Sequence, residues 1–87
     1  MWAIQLIDGK PGILYLREYL LDGRILLFEQ EEMVLRFMLC IQEPVQRALQ
    51  VRLRPIRYSD DPRKDKPRKV SATTIPLLAQ TICASIG

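Results

Sequence analysis

Five side chains that could hold an anion stand within seven residues: Arg63, Lys64, Lys66, Arg68 and Lys69. The stretch just upstream adds Arg52, Arg54 and Arg57. A line of arginines on an exposed strand face, continued by a basic loop, neutralises several phosphates and gives salt-sensitive nucleic-acid binding. Nine of the thirteen basic residues are arginine, whose planar fork meets phosphate or carboxylate bidentately. Tyr58 is the one aromatic near enough to stack on a base. The competing reading is a solvated face, with Asp60, Asp61 and Asp65 folding back on neighbouring Arg and Lys. The segment has neither a recognition-helix signature nor interleaved aromatics.

Little else in the chain points to chemistry. Histidine is absent, which removes the usual general base and the commonest metal ligand. Ser59, Ser71 and Ser85 are the only serines, and none has a nucleophile-elbow setting. No glycine-rich loop precedes a helix to cradle a phosphate. Glu29, Glu31 and Glu32 read as helix-start charge, and Asp60/Asp61 as a solvated turn. Cys40 and Cys83 lack metal-ligand spacing and read as reduced thiols in the core. The chain is therefore read as non-enzymatic, with no catalytic residue, metal, cofactor or small-molecule substrate.

Charge is laid out in three blocks. Residues 1–46 carry four basic and seven acidic groups, residues 47–69 nine and three, and residues 70–87 none. The net values are −3, +6 and zero, which make up the overall +3. Such a polarised chain presents one positive surface to anionic partners and leaves its neutral parts to pack. Eighty-seven residues form one domain, 1–87, with 48% hydrophobic and 26% charged content, as in ordinary globular chains. A core this small buries about 60–65% of the unfolded surface, so self-association is the expected extra source of stability. Met1-Trp2-Ala3 lacks a basic start, Asp8 and Lys10 interrupt the first apolar run, and no stretch reaches membrane-spanning length. A cytoplasmic protein without a membrane partner is expected.

The elements that must position these groups follow from periodicity. Residues 2–7 lean to strand and stop at the turn signal Asp8-Gly9-Lys10-Pro11-Gly12. Residues 13–21 and 24–28 flank Asp22-Gly23, a two-residue hairpin signal, so strand is favoured over helix at 13–21. The three runs would make an antiparallel meander. Residues 29–42 predict the main helix, with Met33, Val34, Phe37, Met38 and Ile41 on one face. Gln30 is a poor N-cap, and Pro44 is expected to end the helix. Residues 47–58 switch to period two, Leu49, Val51 and Leu53 against Gln50, Arg52 and Arg54, with Pro55 marking an edge strand. Residues 59–69 read as a basic connector, 70–74 as extended chain, and 75–86 as a short C-terminal helix with Gly87 behind it. The expected fold is α+β, a small antiparallel sheet of a three-stranded meander plus one strand, with both helices on one face.

Two features point to another chain. Leu35 and Leu39 leave the helix on its charged side, flanking Arg36, as a protein interface would. The uncharged tail must dock on its own sheet or on a second copy. Met33, Met38 and Trp2 read as core. The leading expectation is a protein-interaction module, homodimeric, that regulates or inhibits a partner through its charged face. The alternative is nucleic-acid binding through Arg52, Arg54, Arg57, Tyr58 and the basic loop 63–69.

Overall fold

A computed structural model describes residues 1–18, 23–59 and 62–86. The chain is α+β. Strand β1 (Trp2–Ile7) is followed by β2 (Leu14–Tyr15), β3 (Arg17–Glu18) and β4 (Arg24–Leu27). Then come α1 (Glu31–Leu49), β5 (Arg52–Arg57), the short α2 (Pro62–Asp65), β6 (Arg68–Lys69), a 3-10 turn (Ala72–Thr74) and α3 (Ile75–Ile86).

β1 is the centre of a three-stranded antiparallel sheet in the order β2-β1-β5. The turn out of β1 is held by Asp8 Oδ1, which accepts the Lys10 N–H at 3.0 Å. Gly9 and Gly12 take φ of 81° and 94° there, angles that a side chain would strain. The second apolar run is strand, as expected, but it serves two partners. Tyr15 pairs with Gln5, Leu16 donates to the Ile4 carbonyl at 2.8 Å, and Arg17 then pairs with Ile25 on β4. β4 closes back on β1 through a bridge between Phe28 and Trp2. Arg24 pairs with Glu18. The Asp22-Gly23 turn falls largely on residues 19–22, outside the described set, as do the Asp60/Asp61 turn and Gly87.

β6 is an element the sequence does not announce. It lies parallel to β4, Leu26 opposite Arg68 and Leu27 opposite Lys69, and the Val70 N–H extends the ladder to the Leu27 carbonyl at 2.8 Å. Arg68-Lys69 has no apolar alternation, so only backbone pairing makes it a strand. Residues 72–74, expected as extended chain, form the 3-10 turn instead, tied by Thr74 N–H and hydroxyl to the Ser71 carbonyl.

Both helices cover one face. Ile4 and Leu6 of β1, Leu53 of β5, and Leu26 and Phe28 meet Val34, Phe37, Met38, Ile41 and Val45 of α1, and Ile75, Leu78, Ala79 and Ile82 of α3. Phe28 and Phe37 stack tilted at 5.3 Å in its middle. The uncharged tail docks on its own chain, and the radius of gyration of 12.0 Å matches the value of about 12 Å for a closed domain of this length. Thr81 and Ser85 donate their hydroxyls back to the Leu77 and Ile82 carbonyls of the same helix.

Helix α1 corrects two expectations. It starts after Gln30, which makes no side-chain cap, and carries Glu31 and Glu32 in its first turn. It does not stop at Pro44 but runs on to Leu49, ending where Gln50 turns left-handed at φ 54°. The period-two stretch therefore begins at residue 52, not 47, and Leu49 is exposed on the helix. Val45, fully buried, anchors the last turns, and the Glu43–Arg47 ion pair spans one of them. Pro55 does lie on an edge strand, as β5 has β1 on one side only.

Candidate nucleic-acid interface

The side of the sheet turned away from α1 is built by alternation along β5. Arg52, Arg54 and Ile56 point to this outer side, opposite Ile7, Gln5 and Ala3 of β1, and Tyr58 continues the row. Arg52 and Arg54 are exposed, while Ile56 and Tyr58 pack on a second small core of Ala3, Tyr15, Ile25 and Leu27. Met1 and Tyr15 both hold Tyr58. Its N–H donates to the Met1 carbonyl at 2.9 Å, and its ring meets that of Tyr15 at 5.5 Å. At a rise of about 3.3 Å per residue, the row from Arg52 to Tyr58 is about 20 Å long.

Beyond Tyr58 the row opens into a groove of about 500 Å³. Met1, Leu27, Tyr58 and Pro67 give it apolar walls, and Arg24, Lys66 and Lys69 give it positive charge. Lys66 has φ 46° directly before Pro67. A non-glycine residue in that region costs about 1–3 kcal/mol, and a following proline adds to the crowding. The pairing of β6 alongside β4 brings the segment that carries Lys66 and Lys69 next to the strand that begins at Arg24, and all three residues line the groove. Lys66 and Lys69 are exposed and make no ion pair among the described residues. The same holds for Arg52 and Arg54.

The remaining basic residues take other places. Arg57 is on the helix side of β5, where its guanidinium lies 5.0 Å from the centre of the Trp2 ring and Trp2 is its cross-strand partner. It does not share a face with Arg52 and Arg54. Arg63 and Lys64 are exposed on α2, and Arg68 is half-buried. Arg24 belongs to the groove without any sign in the sequence, since only the parallel β4–β6 pairing brings it there. The Tyr15 hydroxyl is buried and finds no hydrogen-bond partner among the described residues.

On α1, Leu35 and Leu39 are 43% and 80% exposed, with Arg36 exposed between them. Cys40 is exposed rather than in the core, and Cys83 is half-buried; both thiols are free. Among the described residues no cluster of His, Cys, Asp or Glu could hold a metal ion, and no helix is long and apolar enough to cross a membrane. Comparison with protein-family models, with curated proteins and with solved structures finds no match to this chain.

Proposed function

We propose that the protein is a non-enzymatic module that binds nucleic acid along the outer side of its sheet. The observation that carries this reading is the continuity of Arg52, Arg54 and Tyr58 with a groove edged by Lys66 and Lys69. Four exposed cations, Arg52 and Arg54 on the row and Lys66 and Lys69 beyond its Tyr58 end, make no ion pair among the described residues and suit a phosphate backbone better than one small anion. With about four phosphates neutralised, a single strand should bind with a salt slope of about −2.8, so raising salt from about 50 to about 200 mM lowers affinity about 50-fold. Titration of a labelled oligonucleotide at the two salt concentrations tests this. Absence of binding at the lower one contradicts it.

Leu39 favours a second reading. A leucine 80% exposed one turn from another exposed leucine suits a contact with a protein, a second copy of this chain included, through Leu35, Arg36 and Leu39. In that reading the module is homodimeric and regulates a partner.

A further inference from the structure

We infer that the groove beside Tyr58 is a base pocket, which takes one unstacked nucleobase of a single strand and places its phosphate between Lys66 and Lys69. The inference rests on the nucleic-acid reading and adds which form of nucleic acid is chosen and where.

The groove joins two kinds of wall that few ligands satisfy together. Tyr58, Met1, Leu27 and Pro67 offer apolar and aromatic surface, while Lys66, Lys69 and Arg24 bring charge to the same opening. Its volume of about 500 Å³ lies within the range of about 300–1,000 Å³ in which small-ligand sites fall. A flat base beside a phosphate has this mixed character, whereas a purely acidic run such as polyglutamate offers charge with no flat apolar part. In a duplex the bases are stacked and paired, so none can enter such a recess without leaving the stack. A single strand can place a base on an aromatic side chain at no such cost.

The walls are held in place from behind. Tyr15 is buried and its ring meets Tyr58, which fixes the tyrosine that the base would meet. Lys66 keeps a left-handed backbone against Pro67, strain that the rest of the fold maintains at the rim of this groove. The outer row then leads the strand in, from Arg52 and Arg54 to Tyr58.

Fluorescence anisotropy with an oligothymidylate of about 12 nucleotides, against a duplex of equal length at the same salt, tests the assignment. The single strand should bind at least about tenfold more tightly, and Tyr58→Leu should weaken it about five- to 150-fold, the equivalent of one lost base stack. Because Tyr58 also packs on Tyr15, two further variants accompany it. Tyr58→Phe should bind as the parent does, and Lys66→Ala with Lys69→Ala, both on exposed positions, should bind the single strand more weakly. Equal binding of single strand and duplex, with Arg52→Ala/Arg54→Ala weakening both, would overturn the pocket while leaving the nucleic-acid reading in place. Equal displacement of the oligonucleotide by polyglutamate overturns it too, since charge alone would then suffice. Failure of either nucleic acid to bind removes both readings.

Discussion

The Arg57 guanidinium lies 5.0 Å from the centre of the Trp2 ring, on the opposite side of the sheet from Arg52 and Arg54. The contact seals the edge of the main core, against which Trp2 is packed. A cation over an aromatic ring at an exposed site contributes about 0.5–1 kcal/mol. Arg57→Ala should therefore lower the thermal midpoint by about 2–8 °C. Its effect on oligonucleotide affinity should stay within about threefold, because its charge faces away from the bound strand and is screened over about 10 Å. Paired melting and binding measurements check both numbers. A binding loss equal to that of Arg54→Ala would show that the outer row is wrongly drawn.

Pro44 gives a prediction about the helix. Its missing N–H leaves the Cys40 carbonyl, four residues back, without a helical donor. The Cys83 thiol of α3 donates to that oxygen at 3.8 Å. A thiol is a weak donor, so the repair is partial. Pro44→Ala should stabilise the protein by about 1–3 kcal/mol, against the full cost of about 3 kcal/mol for proline in a helix interior. Cys83→Ala should cost more in the parent than in the Pro44→Ala background, by at least about 0.5 kcal/mol in a double-mutant cycle. Strict additivity in denaturant titrations would mean that the two residues do not share the Cys40 oxygen.

Residues 37 and 39 are neighbours in sequence with opposite roles. Phe37 is fully buried against Phe28, and Phe37→Ala should cost about 3–5 kcal/mol, a large share of the stability of a domain this small. Leu39→Glu, at an exposed position, should change stability by no more than about 0.5 kcal/mol. If α1 is a contact between two copies, light scattering should find a dimer in the parent protein and a monomer after Leu39→Glu. A parent that stays monomeric at high concentration removes the second copy as the partner of this helix face.

What the sequence discloses depends on whether a side-chain pattern or a backbone pairing defines the element. Val34, Phe37, Met38 and Ile41 repeat at helical spacing because they share one core, so the body of α1 is legible. The C-terminal helix is legible for the same reason, and Ile75, Leu78, Ala79 and Ile82 are its buried face. The end of α1 is not, since Pro44 signals a stop that burial of Val45 overrides. β6 is invisible because Arg68 and Lys69 carry no apolar alternation, and backbone pairing to β4 makes them a strand. With β6 hidden, the groove that Arg24 and Lys69 share is hidden too. The misplacement of Arg57 has another origin. Period two already sets residue 57 out of step with 52 and 54, and grouping the three by charge disregards it.

The central claim is that Arg52 and Arg54 neutralise phosphates on the outer side of the sheet. Its most direct test is the salt slope of single-strand binding for the parent and for Arg52→Ala/Arg54→Ala. With two of about four phosphate contacts removed, the slope should fall from about −2.8 to about −1.4, with unchanged melting behaviour. An identical slope in the two proteins would contradict the claim, because the arginines would then contact no phosphate.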